Sequence, residues 1–361
     1  MMGIKNQWRF SLSILSICLF VGLGLIAAGL PEAAAQETKD KVNYQAGFYY
    51  TIQEGDTLWD LSQRFNDTPW QWPDLWQENK QIPNPHWIYP GERVRLFLKK
   101  DQHRYQKPQQ EKKEIGPTDA QISASTPEEA PKPVVHFVYP GIDRIGFIRK
   151  PPVKPLGSIL KASGDKKLIS EGDLVYIQGS ESGQLTDFSP GMRLTVYQSL
   201  NPTGERNAEQ EIGTQHWIAG HAEVTKTESR YAIAQITQTY RKIEVDDLVM
   251  AYMPRSPQIE VVDSTPGIDG QLIVSEDHNK LIGELFTAFI DKGKQDNILP
   301  GQVYNLYNQI YHNKSKSGQP LALDKKNIGS LLVLHTEETT STVIITDSQR
   351  KIEPGQPFHS P

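Results

Sequence analysis

Between Lys99 and Pro133 the chain is built of Gln, Lys, Glu, Pro and Ser with almost no large apolar side chain, and this break divides the sequence into an aromatic-rich block and a strand-rich remainder. Such a stretch cannot bury enough surface to offset its ordering entropy, so it reads as a flexible tether that its prolines keep extended. At 361 residues the chain also exceeds one ordinary core, given roughly 150 residues per domain. The expected organisation is a signal segment over 1–35, a polar spacer over 36–47, an aromatic-rich block over 48–98, the linker over 99–133, and two β modules over 134–256 and 257–361.

The first 35 residues carry the marks of an export signal. Lys5 and Arg9 form a basic start, Leu12 to Leu30 an apolar run, and Ala33-Ala34-Ala35 a small-residue cleavage site. The run is near the roughly 18 to 20 residues that cross a bilayer, so a retained anchor over residues 11–30 is the alternative, and only then is a membrane a partner. The single cysteine, Cys18, lies inside that run. Cleavage leaves no disulfide, no thiolate nucleophile and no Cys-ligated metal. A net charge of -5 and the lack of an Arg-aromatic patch give no reason to expect nucleic acid.

Residues 49–97 hold Trp59, Trp70, Trp72, Trp76 and Trp87, five of the chain's seven tryptophans. Tyr50 and Ile52 alternate with polar neighbours as a strand, and Glu54-Gly55 turns the chain. Asp56 or Thr57 caps a helix, with Asp60 placed to close a capping box. Leu58, Leu61 and Phe65 share a helical face. Pro73 opens a second helix that buries Leu75 and Trp76 and ends near Asn79. Pro90-Gly91 then turns into a strand in which Val94 and Leu96 alternate with Arg93 and Arg95. The order is strand, helix, helix, strand.

This block resembles the LysM family. The family's opening stands here as Tyr50, Ile52 and Gly55-Asp56-Thr57-Leu58, its helical asparagine as Asn79, and its close as Ile88, Pro90-Gly91 and Val94. The resemblance implies binding of N-acetylglucosamine-containing glycans, here peptidoglycan strands, in a shallow groove between two loops. Carried over by position, the first loop is Gly55, Asp56, Thr57 and Leu58, and the second Asn79, Gln81, Ile82, Pro83 and Asn84, with Trp87 beside it. Turns exposing both backbone dipoles and apolar atoms suit acetylated sugars. The segment from Thr68 to Trp87 is longer and more aromatic than the family's plain pattern. Trp59 and Trp76 are expected to serve packing first; for Trp70, Trp72 and Trp87, packing and sugar stacking stand equally open. Asp56 is read as a cap before a ligand, and His86 as structural.

From Val134 onward short apolar runs alternate with Gly, Pro, Asn and Asp, as at Leu174–Ile177, Leu194–Tyr197 and Tyr231–Ile236. This half also repeats itself. Leu168-Ile169 and Gly172 correspond to Leu281-Ile282 and Gly283, Pro190-Gly191 to Pro300-Gly301, Ile212-Gly213 to Ile328-Gly329, and Arg241-Lys242-Ile243-Glu244 to Arg350-Lys351-Ile352-Glu353. Two tandem all-β modules follow, each a barrel or sandwich able to close its own core. The fold class expected is thus multidomain, a small α+β LysM module followed by two all-β modules.

No catalytic centre is legible. His216 and His221 are five apart, a spacing that suits neither one helical face nor one strand face for a metal. Asp173 and Asp187 sit beside turn residues, and neither a nucleophile elbow nor a phosphate loop is present. We therefore expect a non-enzymatic protein without cofactor or metal, exported to the periplasm or cell wall, with an envelope protein as partner of the β modules. The rival is a wall-targeted hydrolase whose site within 134–361 has no sequence signature.

Overall fold

A computed structural model describes residues 45–96, 134–166, 168–180, 188–202, 212–312 and 321–361. The signal segment, most of the spacer, the linker and Asp187 lie outside those residues. The aromatic block forms strand β1 (Gly47–Thr51), helix α1 (Leu58–Asn66), a 3-10 turn (Pro69–Gln71), helix α2 (Trp72–Glu78) and strand β2 (Arg93–Leu96). β1 and β2 pair antiparallel, setting Phe48 opposite Leu96 and Tyr50 opposite Val94. Leu61 of α1 and Leu75 of α2 pack on that apolar face.

Two strands from beyond the linker extend this sheet. β3 (Val135–Val138) lies against the free side of β1, with Phe137 opposite Phe48. A later strand, Gln258–Glu260, then pairs with β3 and sets Ile259 opposite Phe137. β1 thus becomes an internal strand, and Phe48, Tyr49 and Tyr50 are all buried rather than alternating with exposed residues. Tyr49, on the second face, is flanked by Arg95 and His136 in register. β2 and β3 lie on either side of β1, two strand spacings or roughly 10 Å apart across the sheet. The LysM block is therefore joined to the strands that follow through sheet pairing.

The remaining strands are β4 (Phe147–Arg149), β5 (Gly157–Ala162), β6 (Leu174–Gly179), β7 (Arg193–Leu200), β8 (Thr214–Thr227), β9 (Ala232–Thr239), β10 (Leu248–Ala251), β11 (the Gln258–Glu260 strand), β12 (Asp269–Ser275), β13 (Thr287–Ile290), β14 (Val303–His312), β15 (Leu321–Thr336), β16 (Ser341–Ser348) and β17 (Pro357–His359). β5-β6-β9-β8-β7-β10 pair into a ring, because β9 pairs back onto β8 and β10 onto β5, with β4 added outside at β8. β12-β13-β16-β15-β14-β17 close a barrel in the same circuit.

Hydrogen bonds give the correspondence between the two rings. Gly191 donates to Val224 and Gly301 to Val333, both at 2.8 Å, and the Ile169–Ile243 bridge recurs as Ile282–Ile352. Gly172, however, donates to Ile236 as Leu285 does to Ile345, so its partner position is Leu285, not Gly283. Both take positive φ, 87° and 64°; the side chain differs while the turn persists. Likewise Gly329, whose Cβ would strike the Asp347 carbonyl, corresponds to Gly220 against Gln238, not to Gly213.

β15 and β16 of the barrel are apolar on both faces. Leu331, Val333, Val343 and Ile345 fill the barrel, whereas Leu332, Leu334 and Ile344 point outward into the cluster that holds Phe48, Tyr50, Leu61 and Leu75. The first ring carries Glu223, Thr225 and Gln235 at the same positions, all exposed. Only the barrel is therefore sided to receive the LysM sheet. The variant Leu332→Glu, Leu334→Thr, Ile344→Gln, which copies the first ring, should leave the barrel folded. It should make residues 45–96 sensitive to limited proteolysis; equal resistance to wild type would contradict the docking.

The two rings meet over β4. Glu276, 1% exposed, accepts from Gly146 N at 2.7 Å, from Arg241 at 3.0 Å and from Thr287 at 2.7 Å. Arg149 grips Glu337 through two bonds of 2.8 and 3.0 Å, and Thr342 and Thr340 donate to the Gly146 and Ile148 carbonyls. Fully hydrogen-bonded buried charges of this kind tolerate loss of one partner poorly. Phe147 stacks on His216 at 4.5 Å, and His216 Nε2 accepts from Val153 N. Burial, then the nearby Arg149, pushes the His216 pKa down to about 4. A histidine depressed in the fold stabilises it above its unfolded pKa, and that contribution is lost as pH falls from 6.5 towards 4. Across that window the loss is on the order of 3 kcal/mol. His216→Gln should therefore show a flatter fall of Tm between pH 6.5 and 4 than wild type; an unchanged slope would contradict this origin.

Candidate glycan-binding site

Both candidate loops meet the same end of the β1–β2 pair. The first leaves β1 after Thr51, which stands opposite Arg93 at the start of β2. Gly55, at φ 88°, occupies the turn that a residue with a side chain would strain. Asp56 then folds back, accepting from Gln53 N and from the Tyr50 hydroxyl, each at 2.7 Å, with Arg64 3.6 Å away. Its carboxylate is committed to holding the loop. Burial and then the hydrogen bond to Asp56 raise the Tyr50 pKa, so the phenol keeps its proton to donate. Thr57 is the cap of α1: its hydroxyl oxygen accepts from Asp60 N at 3.1 Å and its proton goes to the Asp60 carboxylate at 2.7 Å. Leu58 is 2% exposed and belongs to the core.

The second loop is fixed by Asn79. Its amide donates to the Leu75 carbonyl at 2.7 Å and the Arg95 carbonyl at 3.0 Å, and its oxygen accepts from Arg95 N at 2.7 Å. One side chain thereby ties the end of α2 to β2, with no surface exposed. Gln81 donates to Asn79 Oδ1 and to the carbonyl of Arg93, the residue opposite Thr51, which brings this loop beside the first. Ile82 is buried, and its carbonyl accepts from the Trp76 indole at 2.8 Å. Pro83 and Gln81 are exposed and Asn84 half-buried, its oxygen accepting from His86 N. Trp87 is exposed.

Of the residues carried over by position, Gly55, Thr57, Gln81, Pro83 and Trp87 present surface, Asp56 and Asn84 do so in part, and Leu58, Asn79 and Ile82 form the floor beneath. A ligand here would meet turn backbone and neutral polar atoms over an apolar base, an arrangement suited to acetamido groups. Trp76 and Trp72 pack against the core. Tyr89, as exposed as Trp70 at 59%, escaped the sequence reading because Pro90-Gly91 draws attention to the turn alone. His216 and His221 are both buried on β8 among different neighbours, His216 against Phe147 and His221 against Tyr240 and Tyr252. Asp173 accepts from Ser170 N and Lys166 in its turn. Among the described residues no cluster of three metal-ligating side chains occurs.

Replacing Asn79 by Ala would leave the Arg95 amide and two carbonyls without partners. At about 1 kcal/mol for each of these three bonds, with the exposed Gln81 amide free to turn to water, we expect destabilisation of about 3 kcal/mol in denaturant titration. A loss below about 1 kcal/mol would mean water replaces the amide freely.

The LysM domain model matches residues 50–97. A stretch of 57 residues is 37% identical to the uncharacterized protein YqbP of Bacillus subtilis (strain 168), covering 13% of this chain and 26% of that protein. The likeness thus spans about a quarter of that relative's length. Strand order, the cap at Thr57, the Asn79 staple and the family match coincide on one segment: residues 50–97 are a LysM domain, a module for glycans of the peptidoglycan and chitin type.

Proposed function

We propose that this protein is a non-catalytic cell-wall binder, in which the LysM domain holds N-acetylglucosamine-containing strands of peptidoglycan and the two rings form a rigid scaffold for another envelope component. The observation that carries the reading is the meeting of the two exposed loops, Gly55–Thr57 and Gln81–Asn84, at one end of the β1–β2 pair. The rings are read as tandem copies of one module, supported by their common circuit and recurrent turn bonds. Exposed Leu168 and Leu281 at matching turns, with Leu285 and Phe286 beside the second, offer apolar surface for a protein partner. The basic and apolar start of the sequence supports export to the periplasm or cell wall. No helix among the described residues is long and apolar enough to cross a membrane.

Full-length protein should co-sediment with purified peptidoglycan. The double variant Gln81→Ala, Pro83→Ala, confined to exposed groups, should weaken this about tenfold, or about 1.4 kcal/mol, with an unchanged circular dichroism spectrum. Undiminished sedimentation would show that the groove lies elsewhere. Soluble muropeptides released during the incubation would overturn the non-catalytic reading.

A further inference from the structure

A second aromatic surface lies on the LysM domain outside the two loops. Asp67, at φ 58°, ends α1 in the left-handed conformation and reverses the chain. Ser62 donates to the Thr68 carbonyl at 2.8 Å and holds the returning segment along the helix, while Thr68 caps the 3-10 turn that carries Trp70. Trp70 thus reaches Trp59 near the start of α1, with ring centroids 4.9 Å apart and planes at 76°. Side chains on a helix lean toward its N-terminus, so Trp59 leans toward the Gly55–Thr57 loop two residues before it.

This pairing does not hide the rings. Trp59 remains 41% and Trp70 59% exposed, whereas Trp72 and Trp76 of the same domain pack on the core and supply the burial a small fold needs. An edge-to-face pair leaves an open corner with one indole face and one indole edge. Pyranose rings offer a flat C–H face that fits such a corner, and their hydroxyls can stay in water.

We propose that Trp59 and Trp70 form an accessory sugar-stacking subsite that continues the groove past its first loop, so that the domain engages a longer run of the amino-sugar strand than the two loops alone hold. The proposal rests on the glycan-binding reading above.

Isothermal titration of the full chain with N-acetylglucosamine oligomers, from the dimer to the hexamer, tests both separately. Trp59→Ala and Trp70→Ala should each cost about tenfold in hexamer affinity and less than about twofold for the dimer. Trp70→Phe should restore most of the loss, and thermal melts should remain within a few degrees of wild type. Hexamer, but not dimer, should shift the tryptophan fluorescence of the wild type to the blue, and Trp70→Ala should abolish part of that shift. Equal losses for dimer and hexamer, or none for either, would overturn the subsite while leaving the groove intact. Failure of the wild type to bind any oligomer or peptidoglycan would overturn both. Depletion of the protein by lipid vesicles, lost in Trp70→Ala while oligomer binding persists, would assign the pair to a membrane surface and overturn the proposal.

Discussion

The structure turns on the antiparallel pairing of β3 with β1. A two-stranded sheet is marginal in water by itself, because half its backbone groups and one edge of its apolar face lie open. Here β3 satisfies the free side of β1, and Phe137 meets Phe48 edge-on with centroids 4.9 Å apart. β11 then covers β3, and its continuation bridges at Val262 to Gln302 of the barrel. Gly301 sits where that continuation passes so closely that a Cβ would strike the Glu260 carbonyl. One pairing therefore joins the glycan-binding domain to the rest in sheet, core and turn at once.

Its consequence for function is orientation. A LysM module on a free tether would search for glycan independently of its cargo. In this chain the groove, the barrel and the first ring keep fixed relations, because the sheet packs on Leu332, Leu334 and Ile344 and the rings lock through Glu276, Arg241, Arg149 and Glu337. Glu337 illustrates how tightly that lock is drawn. Burial pushes its carboxyl up, yet bonds from His335 and Arg149 together outweigh this and hold it well below the ordinary carboxylate range. On the proposed reading, glycan held at the LysM domain would fix the direction in which the ring surfaces face.

Much of the local structure was legible because it is written in short-range chemistry. Thr57 and Asp60, Pro73, and the alternation Arg93-Val94-Arg95-Leu96 act within a few residues, and each element appears where those signals place it. The β3 pairing was hidden for the opposite reason. Val135–Val138 could pair with any exposed edge, and no local signal names β1 across the linker. A trace of it was nevertheless present: Leu331–Leu334 and Val343–Ile345 run apolar without alternation, the mark of strands covered on both faces. That Asn79 lies beneath the loop surface could not be read from the sequence, because a family landmark gives position and not burial. Gly172 and Gly283 were matched as letters, whereas backbone conformation pairs Gly172 with Leu285.

Native-state hydrogen exchange tests the integrated sheet most directly, since each amide reports the free energy of the opening that exposes it. If β1 and β3 unfold only with the barrel, the amides of Phe48 and Phe137 will exchange at the same free energy as those of Leu332 and Val333, and will respond alike to denaturant. Exchange of Phe48 at a distinctly lower free energy, with Phe137 and the barrel unaffected, would show a LysM domain that opens alone and would contradict the account.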